Sequence, residues 1–138
     1  MLYKHIIKYW IPVILYMIFI FYLSSLQNPV IKVSESSGIK FYNIPMYIYH
    51  IVEFSLLSYL MWRALKNSHS RHPQFYAVLL SIAYAFSDEL HQLFVPGRIF
   101  SLIDFSFDIL GILALQSIII IIDHYKKSND LVTSRHKD

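Results

Sequence analysis

The chain of 138 residues contains no cysteine, only three glycines and few charged side chains. The missing cysteine excludes disulfides, cysteine-ligated zinc and thiol chemistry, so cysteine usage does not identify a compartment. Charged residues make up 15% of the chain, whereas a soluble domain carries about 25%. Apolar residues reach 56%. The composition therefore indicates a single membrane-embedded domain rather than a soluble one.

Four apolar stretches divide the chain, over residues 10–26, 44–65, 74–95 and 102–122. A helix needs about 20 residues to cross the hydrocarbon core of a bilayer. The pattern thus predicts an all-α fold, a polytopic membrane protein with a four-transmembrane-helix bundle. A soluble helical bundle is the alternative, but it would need a polar stripe along each helix. The runs IPVILYMIFIFYL and LQSIIIIID have none.

The basic residues predict the orientation of this bundle. Lysines precede the first apolar stretch, as in a signal peptide, but no small-x-small cleavage pattern comes after it. We therefore interpret this stretch as a retained span. Only Lys32, Lys40 and Arg98 fall on the side opposite the termini, and the other nine of the 12 basic residues fall on the side of the termini. The positive-inside rule then places both termini in the cytoplasm and the protein in the cell membrane as a multi-pass protein.

The expected domain organisation follows from these spans. Residues 1–125 are expected to form the transmembrane domain and residues 126–138 a polar cytoplasmic tail, with the chain loose from Asp123 onward. The loop 27–43 is expected outside. No basic face with interleaved aromatic residues is present, so nucleic acid is not an expected partner, whereas the lipid bilayer is.

Polar residues inside the predicted spans all fall near the outer side of the membrane. Spacings of three and four residues place Asp88, His91 and Gln92 on one face of a helix, with Glu89 off to one side. Ser24 and Ser25 either hydrogen-bond the free carbonyl groups at the end of the first helix or belong to this group of polar residues. Since the only surroundings other than lipid are the bundle interior, the pattern predicts a polar site there, with none of it in the cytoplasmic half. The candidate binding residues are His50, Glu53, Asp88, Glu89, Gln92, Arg98, Ser101, Asp104 and Asp108.

The charges of this layer do not balance. Five carboxylates face one fixed cation, Arg98. A purely structural interpretation pairs Arg98 with Asp88 or Asp104 to hold the helices in register. A dry cluster cannot keep five carboxylates ionised beside one guanidinium, so protons, water or a cation must enter. We therefore favour a functional site over passive bracing.

The motif DELHQLFVPGR followed by SLIDFSFDILG, over residues 88–111, resembles the signature of the VanZ-like family. The resemblance extends to YWIP at 9–12, SSLQ at 24–27 and the pair His50 and Glu53, and covers residues 9 to about 115. Asp108 stands where asparagine is common. The family takes its name from an accessory protein that gives low-level resistance to teicoplanin. The resemblance implies a small integral membrane protein linked to the cell envelope.

Three functions are compatible with these residues. In the first, Arg98 binds an anionic headgroup or the pyrophosphate of a lipid-linked cell-wall precursor, since its planar fork matches phosphate, and the acids below bind a cation or an amine. In the second, an intramembrane metal-assisted enzyme acts on a lipid-linked envelope substrate. Its candidate acid–base residues are Asp88, Glu89 and His91, and Asp104 with Asp108 would hold the metal.

The enzyme hypothesis lacks a known ligand spacing such as HExxH, and no cofactor or metal is identified from the sequence. The third function is a small transporter. It would require polar residues through the cytoplasmic half of the spans, where we expect none. The sequence therefore favours the first function, a protein that binds an anionic envelope ligand.

Overall fold

The computed structural model describes residues 2–26 and 44–135 of the chain, with side chains over 7–26 and 45–130. In these residues the chain forms four α-helices and no strand. They are α1 (Leu2–Ser25), α2 (Ile44–Asn67), α3 (Pro73–Gln92) and α4 (Leu102–Arg135). The all-α fold class is confirmed. The loop 27–43, expected outside the membrane, lies outside the described residues.

The helices extend beyond the apolar stretches that predicted them. α4 runs through the expected boundary at 125–126 and reaches Arg135, so the prediction of a loose chain from Asp123 is wrong over 123–135. No glycine or proline follows Gly111 in α4, and nothing in this segment therefore stops the helix. The contact of Lys66 Nζ with Asp123 Oδ2, at 3.3 Å, also ties it to α2.

Successive helices run in opposite directions. Trp10 Nε1 donates a hydrogen bond of 3.0 Å to Ser68 Oγ, which places the first part of α1 beside the end of α2. The Lys66–Asp123 contact places the last part of α4 at the same end. The start of α1 and the end of α4 therefore lie at one end of the bundle. We call the opposite end, where α1 and α3 finish and α2 and α4 begin, the distal end.

Helix α2 is the central element of the packing, since it contacts the other three helices. Helix α3 also contacts α1 and α4, whereas α1 and α4 do not touch in the described part of the chain. At Gly111 of α4 a side chain would meet the backbone of α2, with an added Cβ 2.9 Å from Ile51 Cα and in closer contact with Ile51 O. The glycine therefore permits the close approach of α4 to α2. The buried apolar core comprises Val13, Ile20, Phe54, Leu57, Met61, Ala64, Ala77, Ala85 and Ile112.

The outer faces of the helices are apolar as well. Leu15 and Ile18 on α1 are 61% and 58% exposed, and Ile122 on α4 is 59% exposed. Among the described residues, two helical segments are long and apolar enough to cross a membrane, Ile7–Ser25 and Leu102–Asp130. Helices α2 and α3 fall short because of the polar and charged residues they carry, Glu53 and Asp88 among them. Two candidate spans are thus established, and the predicted count of four is not.

Candidate functional site

A cavity of about 360 Å³ lies at the distal end, bounded by α1, α2, α3 and the turn after α3. Helix α4 contributes no residue to its lining. The apolar part of the lining consists of Ile20, Leu23, Leu26 and Met46, and the polar part of Ser24, Tyr49, His50, Glu53, Asp88, Gln92 and Arg98. Five of the nine predicted binding residues therefore line one space.

A tight turn places Arg98 at this cavity. The backbone N–H of Arg98 donates to Val95 O at 3.1 Å, and Gly97 between them has a φ of 84°. Proline followed by a residue of positive φ is the pattern of a type II turn, in which glycine is strongly preferred at the second central position. The sequence Val-Pro-Gly-Arg therefore forms a turn after α3 that returns the chain toward α4, with Arg98 lining the cavity.

The guanidinium of Arg98 has no protein counterion among the described residues. None of the ion pairs formed there includes Arg98, and its buried Nε has no hydrogen-bond partner. The structural interpretation, in which Arg98 pairs with Asp88 or Asp104, is therefore not what this part of the chain forms. The side chain is half-buried and lines the cavity.

Asp88 presents one carboxylate oxygen without a partner. Its residue is only 6% exposed and lines the cavity. Oδ2 accepts a hydrogen bond of 3.1 Å from Gln92 Nε2, which lies one turn further along α3. Oδ1 is buried and unpartnered within the described structure. The amide of Gln92 also lies 3.4 Å from Glu89 Oε1, so it links the two carboxylates.

Glu89, Ser101 and Asp104 join α3 to the beginning of α4 and do not line the cavity. The N–H of Ser101 donates to Glu89 Oε2 at 2.8 Å, and the N–H of Asp104 donates to Ser101 Oγ at 3.1 Å. The second contact is that of an N-cap serine with the third residue of its helix. Glu89 is fully buried. These three predicted site residues therefore fix the start of α4 instead of facing the cavity.

His50 and Asp108 form a buried contact between α2 and α4. His50 Nδ1 lies 2.9 Å from Asp108 Oδ1, and Asp108 is 1% exposed. His50 lines the cavity and Asp108 does not. Asp108 therefore contacts the imidazole of His50 on the side away from the cavity.

Glu53 is held by a tyrosine that the sequence interpretation did not include in the site. Tyr49 OH donates to Glu53 Oε1 at 3.0 Å, and both residues line the cavity. Tyr16 OH of α1 donates to the backbone oxygen of Glu53 at 3.2 Å. The spacing of four between Tyr49 and Glu53 is visible in the sequence and would have identified the pair.

His91, predicted on the face of Asp88 and Gln92, does not line the cavity with them. His91 Nε2 lies 2.9 Å from Ser25 Oγ, and its ring packs 4.2 Å from that of Phe21. It therefore faces α1, because the three-residue spacing leaves it about 60° away from Asp88 around the helix axis.

The two serines at the end of α1 have different surroundings. Ser25 Oγ donates to the backbone oxygen of Phe21 at 2.6 Å, one turn back, and also contacts His91. Ser24 lines the cavity and is 6% exposed, and its buried Oγ has no partner in the described residues. Ser25 thus hydrogen-bonds a carbonyl group at the end of α1, while Ser24 lines the cavity.

A known protein family matches the part of the chain that forms this cavity. A family model described as VanZ/LLP1 matches residues 9–123, which is most of the chain. The chain belongs to the VanZ/LLP1 family. The predicted resemblance is thereby confirmed, and the matched region contains every residue that lines the cavity. Membership and the two candidate spans indicate a membrane-associated protein linked to resistance. No curated protein and no solved structure gave a match.

This VanZ-family chain also buries polar residues away from the cavity. Gln116 Nε2 of α4 donates to Ser58 O of α2 at 2.9 Å, and the two residues are 2% and 0% exposed. Both lie in the half of their predicted spans nearer the termini. The expectation of no polar residue in that half is therefore wrong. Gln116, alone in a long apolar run apart from Ser117, was the available signal.

No three His, Asp or Glu side chains of the described VanZ-family residues are placed so that they could hold a metal ion together. Asp108, a ligand in the enzyme hypothesis, contacts His50, and Asp104 lies at the N-terminal cap of α4. The geometry thus offers, at one cavity, a guanidinium without a counterion among the described residues and several oxygen acceptors.

Proposed function

We propose that the chain is a four-span protein of the cell membrane with both termini in the cytoplasm and the cavity toward the outside. The alternating helix directions support this topology, since the start of α1 and the end of α4 both contact the end of α2. The nine-to-three distribution of basic residues supports the orientation. Apolar side chains on the outer faces of α2 and α3, such as Val52 at 59% and Leu79 at 50% exposure, suit contact with lipid.

In this proposal the cavity binds an amphiphilic ligand with an anionic headgroup. The observation that carries it is Arg98, a half-buried cation at the cavity without a counterion in the described residues. A guanidinium binds phosphate oxygens through two parallel hydrogen bonds. The apolar lining, which includes Leu23 and Met46, would contact the hydrocarbon part of the ligand. Lipid-linked cell-wall precursors combine an anionic pyrophosphate with such a chain.

Contribution to glycopeptide resistance, including resistance to teicoplanin, is part of the proposal. A protein that binds a lipid-linked wall precursor at the outer face acts on the same surface at which the wall is assembled. The domain assignment is proposed with it: residues 1–125 form the membrane domain and residues 126–138 its cytoplasmic extension, helical as far as Arg135.

Binding of a short-chain anionic lipid tests the proposal. The full-length protein in detergent would be titrated with dihexanoyl phosphatidylglycerol, and bound lipid would be counted by native mass spectrometry. Arg98→Ala should weaken binding at least about tenfold, because a charge-assisted contact contributes about 1.5–3 kcal/mol. Arg98→Lys should restore little of it, since an ammonium lacks the planar fork.

The matched control for this titration is Arg63→Ala. It removes an exposed arginine in the last part of α2, away from the distal end and the cavity. It should leave the affinity unchanged. Equal affinities of the wild-type, Arg98→Ala and Arg63→Ala proteins would contradict an anionic-ligand site at Arg98. The enzyme alternative has no specific observation in its favour, since no group of metal-binding side chains converges in the described part of the chain.

A further inference from the structure

The cavity presents more negative than positive groups to its contents. Glu53 and Asp88 line it as carboxylates, and Arg98 is the single guanidinium in the described lining. His50, the remaining titratable group apart from Tyr49, is engaged by Asp108 at 2.9 Å. A ligand with only negative charge would satisfy Arg98 and leave the two carboxylates facing an anion. Charge complementarity therefore favours a ligand that carries a cationic group beside the anionic one.

Two of the lining residues present hydrogen-bond acceptors that nothing occupies. Oδ1 of Asp88 and Oγ of Ser24 are buried without a partner among the described residues, and each residue is 6% exposed. The two N–H groups of Gln92 Nε2 are directed to Asp88 Oδ2 and Glu89 Oε1, so Gln92 has no donor left for Asp88 Oδ1. A buried acceptor without a donor costs free energy. These atoms therefore favour a ligand that donates hydrogen bonds at this side of the cavity.

An ammonium group meets both requirements, because it carries a positive charge and three N–H donors. Resting on the function proposed above, we propose that the ligand of this cavity has a zwitterionic amino-phosphate headgroup, with its phosphate at Arg98 and its ammonium at Asp88 and Ser24. Glu53, whose Oε1 accepts from Tyr49, is the second carboxyl group of the same lining. The class includes phosphoethanolamine-type and aminoacylated headgroups. A bridging divalent cation is less well matched, since the described residues offer no group of three metal-binding side chains.

A pair of lipids that differ only at the nitrogen tests this inference. Dihexanoyl phosphatidylethanolamine and its N-acetyl derivative share the phosphodiester and the chains, but only the first carries an ammonium. Both would be titrated, with EDTA present, into the full-length protein in detergent, and bound lipid measured by native mass spectrometry. The wild-type protein should bind the ammonium lipid at least about tenfold more tightly. In Asp88→Asn this preference should fall to about twofold or less.

Two further variants make the test specific. Ser24→Ala removes one acceptor and no charge, and should reduce the preference by a factor of about two to five. Asp123→Asn removes an exposed carboxylate at the other end of the bundle and should keep the full preference. If Asp88→Asn does not fold, the preference of the wild-type protein and its reduction in Ser24→Ala decide the question.

The outcomes separate this inference from the function on which it rests. Equal affinity for the two lipids, with both lost in Arg98→Ala, would overturn the zwitterionic headgroup and leave the anionic site intact. A preference for the ammonium lipid that persists in Asp88→Asn would also overturn it. Tight binding of the N-acetyl lipid that appears only with added Mg²⁺ or Ca²⁺ would assign the acceptors to a cation. Failure of both lipids and of phosphatidylglycerol to bind would contradict the proposed function itself.

Discussion

His50 Nδ1 lies 2.9 Å from Asp108 Oδ1, and this buried contact joins α2 to α4 behind the cavity. Removing either side chain leaves the other, which is buried, without its partner. Asp108→Ala should therefore lower the free energy of unfolding by about 1–3 kcal/mol. The double variant with His50→Ala should show a coupling energy of about 1–3 kcal/mol, measured by denaturant unfolding in detergent.

The control for this cycle is Asp123→Ala, which removes the exposed contact with Lys66. An exposed ion pair contributes about 0.2–1 kcal/mol, so the change in stability should be small. Strict additivity of His50→Ala and Asp108→Ala would show that the two residues are not energetically linked.

Ser101 should act through helix α4 and not through a ligand. Its Oγ accepts from the N–H of Asp104 at 3.1 Å, and it does not line the cavity. Ser101→Ala should cost about 1 kcal/mol of stability, and Ser101→Thr should restore most of it, because threonine also caps helices. Ser106→Ala, an exposed serine that bonds only within α4, is the control for thermal unfolding. Loss of lipid binding in Ser101→Ala at unchanged stability would refute the capping role.

Gly111→Ala should destabilise the packing of α4 on α2. The added methyl would lie 2.9 Å from Ile51 Cα and still closer to Ile51 O, and these are backbone atoms that cannot rotate away. Overpacking of this kind costs about 1–3 kcal/mol, which exceeds the roughly 1 kcal/mol by which alanine favours a helix over glycine. Ser117→Ala, exposed on the same helix, should unfold at the wild-type temperature. An unchanged or raised melting temperature of Gly111→Ala would show that α2 and α4 can separate at this point.

The helices and the turn before α4 could be predicted from the sequence, whereas the partners of several side chains could not. Helical spacing gives the direction of a side chain around its own axis but not which helix lies there. The sequence thus groups His91 with Asp88, although His91 faces α1 and contacts Ser25 there. Glu89 was correctly placed off that face, but its acceptor role at Ser101 N depends on the path of the turn.

Other features were predictable and were missed. Gln116 interrupts a long apolar run, and a polar amide in such a run needs a partner, which Ser58 provides. The helical segment after Asp123 has no glycine or proline that would end it. The cavity itself was not predictable in detail, because its volume depends on how far α1 stands from α2 and α3. The unpaired state of Arg98 also depends on that geometry.

The four-span topology can be tested with introduced cysteines, since the chain has none of its own. Single cysteines at Asn67 and Asn129 should resist an impermeant thiol reagent in intact cells, because both positions lie at the end of the bundle that holds the termini. A cysteine at Ser36 should react. Permeabilised cells provide the control, in which all three should be labelled. Labelling in the reverse sense would contradict the orientation, and with it an outward-facing cavity.

The most direct test of the account is the thermal unfolding of Arg98→Ala beside the double variant with Asp104→Asn. An arginine that braced the bundle would leave a buried acid unpaired when removed, at a cost of about 3–5 kcal/mol. Since Arg98 forms no ion pair within the described chain, we predict that Arg98→Ala changes stability by less than about 1 kcal/mol, keeps normal abundance and loses lipid binding. A large drop in the melting temperature of Arg98→Ala that Asp104→Asn restores would contradict the account and make the cluster a structural one.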